Sequence, residues 1–255
     1  WTSLDENDKI WFSAKFDLKN LRVVSTSDET IAKTLTSLLL EANAQNPLLL
    51  TESDGFQIET HLTFPRSWGL GSSSTLINNI AQWARVDAFQ LLQNAFGGSG
   101  YDIACAQYNS PLTYQLKDGI PQVEEIDFDP IFKEHFFFIH LNRKQNSKEA
   151  IVNYREQQFD KPQLVKEVSD ITKKMIGAST LSGFETLMEE HESLLSKVLK
   201  IQPVKQRLFP DYFGAIKSLG AWGGDFVLAT GDDKTRSYFK SKGFETVISY
   251  SKMSL

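Results

Sequence analysis

Alternating hydrophobic and polar residues indicate strands on both sides of an amphipathic helix in the first part of the chain. Over residues 10–18, alternate positions are apolar, which is the period of a half-buried strand. Ser27, Asp28 and Glu29 are residue types that begin helices, and the helix predicted from them ends at Asn46-Pro47. Its apolar stripe is Ile31, Leu35, Leu38, Leu39 and Ala42. A second alternating stretch, residues 56–62, predicts another strand.

A longer helix is predicted directly after the serines at 72–74, and a hairpin is predicted further along. Apolar residues recur at helical spacing from Leu76 onwards, and we expect this helix to reach about Gln93. The run Gly97–Gly100 then breaks the pattern. Two stretches of strand-forming residues, 112–116 and 122–128, flank Lys117-Asp118-Gly119, which is typical of a β-hairpin.

The second half of the chain begins with an apolar strand and continues with helices. Phe136–Leu141 is apolar throughout, and three helical stretches follow it. Strands at Phe213–Ile216 and Phe226–Thr230, a helix near Thr235–Lys242 and a strand at Thr246–Ser251 complete the predicted elements. Because helices and strands are mixed without strict alternation, we predict an α+β fold. The boundary expected around Asp129–Lys133 gives domains 1–132 and 133–255.

Composition excludes several classes of function. The 255 residues carry a formal net charge of −5, so no basic field favours a nucleic-acid partner. Cys105 is the only cysteine and there are four histidines, so neither a disulfide framework nor zinc-ligand spacing is present. The apolar runs are too short to span a membrane, and no signal peptide is visible. These features predict a cytoplasmic protein.

The stretch from Pro65 to Ser74 has the composition of a phosphate-binding loop. Its sequence is Pro-Arg-Ser-Trp-Gly-Leu-Gly-Ser-Ser-Ser, and a helix is predicted to begin where the serines lie. Glycines allow the backbone to approach a ligand closely, and the first N–H groups of a helix attract anions. No Gly-Lys pair occurs, so this is not a Walker loop. The alternative is an ordinary loop with a serine helix cap.

Two further glycine-rich strings carry candidate chemistry. Asp102 follows Gly98-Ser99-Gly100-Tyr101, and a carboxylate at that place can accept a proton from a substrate hydroxyl. The alternative is that Asp102 only caps a helix. The second string, Gly220-Ala221-Trp222-Gly223-Gly224-Asp225, lies between two apolar strands. It allows close approach of a ligand, and its alternative is a tight turn.

Together and in this order, the three strings resemble the GHMP kinases, the family of galactokinase, homoserine kinase, mevalonate kinase and phosphomevalonate kinase. Pro65–Ser74 matches the second motif of that family. Gly100–Ala104 is similar to the catalytic-aspartate segment of mevalonate and phosphomevalonate kinases, and to the Gly-Tyr-Asp-Ile-Ala string of a bacterial subgroup. Lys217–Asp225 resembles the third motif. The resemblance spans about residues 50–250.

The resemblance implies a two-lobed kinase that uses ATP and Mg²⁺. Its first lobe would be like domain 2 of ribosomal protein S5, and its second lobe would be ferredoxin-like. Asp102 would be the catalytic residue facing the acceptor oxygen, and Ser73 would offer its hydroxyl to Mg²⁺. The triphosphate would be held by Gly69, Leu70, Gly71, Ser72, Ser73 and Ser74. The transferred phosphate would lie near Gly220, Ala221, Trp222, Gly223, Gly224 and Asp225. The partner would be a small molecule, and the protein a monomer or homodimer.

Three departures from the family pattern leave alternatives open. The first motif, Pro-Gly-Lys, is not found, and we expect it upstream of Trp1. No acid occurs in Ala88–Gln93, where mevalonate kinases carry a second Mg²⁺ ligand, and Trp222 replaces a glycine. The first alternative is a diphosphomevalonate decarboxylase-like enzyme. The second is a nucleotide- or metabolite-binding protein without catalysis.

Overall fold

The computed structural model describes residues 1–51, 54–143, 147–220, 222 and 224–254, with backbone alone at 147–149. The chain divides into two compact units. Unit 1 consists of Trp1–Arg66 and Leu70–Asp127, and unit 2 consists of Ser67–Gly69 and Phe128–Leu255. Within the described ranges no helix is both long and apolar enough to cross a membrane.

In its described residues, unit 1 combines a mixed four-stranded sheet, a two-stranded hairpin and four α-helices. Its elements are, in chain order, β1 (Thr2–Leu4), β2 (Ile10–Phe16), β3 (Val23–Thr26), α1 (Glu29–Gln45), β4 (Glu59–His61), α2 (Ser72–Ala84), α3 (Ala88–Ala95), α4 (Tyr101–Gln107), β5 (Leu112–Lys117) and β6 (Ile120–Glu125). The sheet order is β3-β2-β1-β4, with β1 and β4 parallel and the other pairs antiparallel. The hairpin β5–β6 is confirmed, with its turn at Asp118-Gly119.

The core of unit 1 lies between the sheet and the helices. Leu35, Leu38, Leu39 and Ala42 of the predicted α1 stripe are buried, whereas Ile31 is half-buried. Phe12 and Ala14 of β2 are buried with them. Asp28 caps α1, because its carboxylate accepts from the backbone N–H groups of Thr30 and Ile31. The predicted strand face is only partly correct, since β2 ends at Phe16 and Ile10 is largely exposed.

The helix predicted to run to Gln93 is in fact two helices. α2 ends at Ala84, where Arg85 adopts a left-handed conformation with φ 55°. Asp87 then caps α3 by accepting from the N–H of Gln90 at 2.7 Å. The apolar period alone could not show this break, because buried residues continue on both sides of it. β1 and β3 were not predicted, and the second alternating stretch forms only the short strand β4.

Unit 2 contains a four-stranded antiparallel sheet with its helices. Its elements are β7 (Phe136–His140), α5 (Ser147–Glu156), α6 (Lys161–Ile176), α7 (Leu181–Leu199), α8 (Val204–Leu208), β8 (Ile216–Ser218), β9 (Phe226–Thr230), α9 (Lys234–Ser241), β10 (Val247–Ser249) and α10 (Tyr250–Met253). The sheet order is β10-β7-β9-β8. If the four strands of this sheet are numbered 1 to 4 along the chain, their spatial order is 4-1-3-2.

Two buried clusters stabilise unit 2. One packs Ile139, Val227, Phe209 and Phe239 together with their neighbours. The other surrounds Phe136, Phe184 and Met188. The three predicted helices after β7 are confirmed, and β9 has the predicted bounds. The strand predicted at Phe213–Ile216 instead begins at Ile216, and α8 and α10 were not predicted.

Candidate active site

The second motif opens with a short 3₁₀ turn, Arg66–Trp68, and its residues Ser67–Gly69 belong to unit 2. The ring of Trp68 meets the ring of Phe226 edge-on, with 5.6 Å between centroids. Gly69 has φ +67°, and a Cβ there would lie 2.7 Å from Oδ2 of Asp225 and closer still to its Cγ and Oδ1. Only glycine therefore fits at this position. The structure thus brings the first glycine of the second motif against the last residue of the third.

The rest of the second motif forms the uncapped beginning of α2 in unit 1. Gly71 is the N-cap, in a left-handed conformation, and no described side chain caps this helix end. Ser72, Ser73 and Ser74 are the first helical residues, so the alternative of a serine cap is wrong. Ser73 is exposed, whereas Ser72 and Ser74 are half-buried. This end of α2 therefore presents N–H groups and positive partial charge without a side-chain acceptor.

Asp102 lies in the first turn of α4. Gly100 is the N-cap of this helix, so Asp102 does not have the capping role that was the alternative. A Cβ at Gly100 would lie 2.8 Å from the ring of Phe89 and 3.1 Å from the hydroxyl of Tyr114, and φ is +81°. The side chain of Asp102 reaches solvent, yet the desolvation that it does experience raises its pKa above the usual range. A raised pKa suits a carboxylate that accepts a proton.

Aromatic side chains surround this turn. The hydroxyl of Tyr114 donates to the backbone oxygen of Ser99, and the rings of Tyr101 and Tyr114 meet edge-on at 5.7 Å. Burial raises the pKa of Tyr101, so its phenol is protonated at neutral pH. Neither Tyr114 nor Phe89 was singled out from the sequence. The sequence carried no signal for them, because their closeness to Gly100 appears only in the structure.

Helices α2 and α4 pack against each other within unit 1. Asn78 of α2 is buried, and its Nδ2 donates to the backbone oxygen of Ala106 of α4 at 3.1 Å. The helix that begins with the serines and the helix that carries Asp102 are therefore joined directly. An anion held at the first turn of α2 and an acid on α4 belong to the same compact unit.

The third motif connects β8 to β9 in unit 2. Gly220 and Trp222 both have left-handed backbone, with φ 58° and 60°. Ala221 and Gly223 lie outside the described residues. Gly224 is buried and Asp225 is half-buried. The ring of Trp222 lies 5.8 Å from that of Tyr154 on α5, at an interplanar angle of 33°. A left-handed backbone is unfavourable for a bulky residue such as Trp222. The contact between its indole ring and the ring of Tyr154 helps to offset that strain.

The protein side chains alone do not form a closed metal site. No group of three or more His, Cys, Asp or Glu residues with metal-binding geometry occurs among the described residues. Oxygen donors at the family motifs of unit 1 include the exposed hydroxyl of Ser73 and the carboxylate of Asp102. A few hard oxygen donors of this kind suit a Mg²⁺ ion that takes its remaining ligands from water and phosphate.

Comparison with known proteins gives relatives by structure and none by sequence. No protein-family model matches the chain, and no curated protein matches it either. The mevalonate kinase of Methanococcus jannaschii superposes with a TM-score of 0.61 at 17% identity, over 92% of this chain and 85% of that one. The chain has the fold of the mevalonate kinases.

Two other solved structures share this fold. The mevalonate-3-kinase of Thermoplasma acidophilum, solved with mevalonate 3-phosphate and ADP, superposes with a TM-score of 0.54 at 15% identity, over 88% of this chain and 76% of that one. The mevalonate diphosphate decarboxylase of Staphylococcus aureus gives 0.56 at 10% identity, over 94% and 75%. The fold therefore agrees with the GHMP resemblance, and it is common to kinases and a decarboxylase.

Proposed function

We propose that the protein is an ATP- and Mg²⁺-dependent kinase of a small-molecule acceptor related to mevalonate or phosphomevalonate. The observation that carries the proposal is the arrangement inside unit 1. The uncapped N-terminus of α2 and the helix of Asp102 pack together, and each begins at a glycine of a family motif. The shared fold of the mevalonate kinases supports the same conclusion.

Each part of this arrangement has a role in the proposed reaction. Backbone N–H groups of the Gly69–Ser74 loop donate to the phosphates of ATP, and the dipole of α2 favours their charge. Asp102 accepts the proton of the acceptor oxygen, and its raised pKa favours that step. Gly220–Asp225 lie near the transferred phosphate. Phosphoryl transfer needs mainly positioning and charge neutralisation, which these groups supply.

Magnesium fits the donor set as a nucleotide-bound ion. Ser73 would hold it through its hydroxyl, and the ion would neutralise charge on the phosphates. We also propose that unit 1 is the lobe similar to domain 2 of ribosomal protein S5, and that unit 2 is the ferredoxin-like lobe. The β-α-β-β-α-β succession of unit 2, together with its antiparallel sheet order, supports the second assignment.

A decarboxylase is the second candidate function, because a mevalonate diphosphate decarboxylase shares the fold. The similarity of Gly100–Ala104 and Lys217–Asp225 to phosphomevalonate kinases favours transfer to an acceptor over loss of carbon dioxide. The strained Trp222, at a place where the family carries glycine, favours the third candidate, a binding protein without catalysis.

The test measures transfer from labelled ATP to a panel of mevalonate-type acceptors, with carbon dioxide followed in parallel. We expect Asp102→Asn to lower turnover by about 10²–10⁴-fold while ATP still binds. Asp118→Asn is the matched control, because it removes the same charge from an exposed turn of unit 1. Unchanged turnover in Asp102→Asn would exclude Asp102 as the base. Carbon dioxide release would favour the decarboxylase, and ATP binding without any product would favour the binding protein.

A further inference from the structure

A buried carboxylate on α7 is hydrogen-bonded to Ser218, near the start of the third motif. Glu192 is only 8% exposed, although it is a charged residue in the middle of a helix. Its Oε1 accepts from the backbone N–H of Ser218 at 3.0 Å, and its Oε2 accepts from the hydroxyl of Ser218 at 2.9 Å. Ser218 is the last residue of β8, and only Leu219 separates it from the glycine-rich connection that begins at Gly220. Both oxygens of Glu192 thus act on one residue.

Lys217 contacts the same residue, Ser218. Its Nζ donates to the backbone oxygen of Ser218 at 3.2 Å. Burial lowers the pKa of Lys217, whereas the charge of Glu192 acts in the opposite direction. The neighbouring His191 has its pKa lowered to about 4, first by burial and then by the charge of Lys217, so it is neutral at neutral pH. The carboxylate of Glu192 is therefore buried with both of its oxygens hydrogen-bonded, which makes its burial tolerable.

Close packing alone does not hold the β8–β9 connection where it faces α7. Glu192, Ser218 and Trp222 line a common cavity of about 20 Å³, which is roughly the space of one water molecule. The last ladder bond before the connection runs from the N–H of Leu219 to the oxygen of Phe226 at 3.2 Å. Beyond it, Gly220 and Trp222 have left-handed backbone. The hydrogen bonds from α7 therefore act on the base of the connection, where close packing is incomplete.

We propose that Glu192 is a positioning residue for the third motif, acting through Ser218. This inference rests on the proposed kinase function, because it assigns a catalytic consequence to the position of Gly220–Asp225. Glu192 touches neither phosphate nor acceptor in this proposal. It sets the direction in which the chain leaves β8, and a small displacement there misplaces the groups that contact the transferred phosphate.

The first test compares Glu192→Gln with Glu192→Ala. The glutamine can accept from the N–H of Ser218 and donate to its hydroxyl oxygen, so it keeps both contacts. We expect Glu192→Gln to retain turnover within about threefold and Glu192→Ala to lose between about 10- and 100-fold in kcat, with KM for ATP little changed. Ser218→Ala keeps one of the two bonds and should lie between them. Glu190→Gln is the control, because Glu190 is exposed on the same helix.

A second readout does not require turnover. Each variant is compared with its own Trp222→Phe partner, and the difference in fluorescence reports the surroundings of Trp222. We expect a shift to longer wavelength in Glu192→Ala and none in Glu192→Gln. If the parent protein phosphorylates no acceptor, the kinase proposal fails while this measurement still tests the positioning role. Unchanged kcat and emission in Glu192→Ala, or a loss in Glu192→Gln equal to that of Glu192→Ala, would overturn the inference.

Discussion

Gly69 is the residue at which two motifs meet, and its side-chain position is already occupied. Gly69→Ala must place a Cβ against the carboxyl group of Asp225 with φ at +67°. We expect it to lower the free energy of unfolding by at least about 2 kcal/mol, from overpacking and backbone strain together. Denaturant unfolding measures this loss.

Gly243→Ala separates the two contributions to that loss. Gly243 also has positive φ, at +87°, but a Cβ there would meet nothing within 4 Å. Its alanine variant should therefore lose only the backbone share, about 1 kcal/mol. In Gly69→Ala combined with Asp225→Ala, the loss should be smaller than the sum of the two single losses. Equal losses in Gly69→Ala and Gly243→Ala would contradict the contact with Asp225.

At the scale of single residues, the sequence identified the candidate motifs. It did not identify the residues that contact them in the folded protein. The glycines at 69 and 100 marked positions where the backbone needs freedom, but Asp225 and Phe89 could not be named because the sequence does not encode distance. Glu192 carried a usable signal that was missed. It follows Phe184 and Met188 at four-residue spacing, so it lies on the buried stripe of α7. A carboxylate at such a position requires a partner.

At the scale of elements, apolar periodicity predicted most long helices. It failed where a helix ends because one residue adopts a left-handed backbone conformation. The chain ends α2 with Arg85 in the left-handed region, and the N–H of Val86 reaches back to the oxygen of Ala81 at 2.9 Å. Glycine is the usual residue at such a helix end, and its absence concealed the break. The strands β1 and β3 were missed because they are too short to show a period.

Arg85→Gly should stabilise the protein. Arg85 is exposed, so its replacement removes little packing, while glycine relieves the left-handed backbone. We expect a gain of about 1 kcal/mol in the free energy of unfolding, measured by denaturant titration. Arg85→Ala serves as the control, since it removes the same charge and side chain but keeps the unfavourable conformation. A gain of equal size in both variants would show that the charge, and not the backbone, is responsible.

At the scale of the whole molecule, the order of strands in each sheet lay beyond the reach of composition and periodicity. Local patterns name strands, but pairing depends on contacts between distant parts of the chain. The α+β class followed from the mixture of elements, whereas the two-lobed fold was expected only from the resemblance carried by three short strings. Structural comparison agrees with that resemblance at 17% identity or below, where whole-sequence matching finds nothing.

A ligand that binds only the folded chain stabilises it, which gives a test of the proposed phosphate-binding loop that needs no acceptor. MgATP at 100 times its dissociation constant should add about 2.7 kcal/mol to stability and raise Tm by several degrees. Ser73→Asp should have two opposite effects. An acid in the first turn of α2 interacts favourably with the helix dipole, so the free protein gains about 0.3–1 kcal/mol. Repulsion between this carboxylate and the phosphates, which Mg²⁺ offsets only in part, should reduce the MgATP shift.

Asn79→Asp is the matched control for Ser73→Asp. Asn79 is exposed on the same helix but beyond its first turn, so its variant should keep the MgATP shift with the same added charge. Thermal unfolding of the three proteins, with and without nucleotide, checks both signs. If Ser73→Asp keeps the full shift, the N-terminus of α2 does not hold the triphosphate. In that case the packing of α2 on α4 would have only a structural role, because it would not bring the triphosphate near the acceptor that Asp102 is proposed to deprotonate.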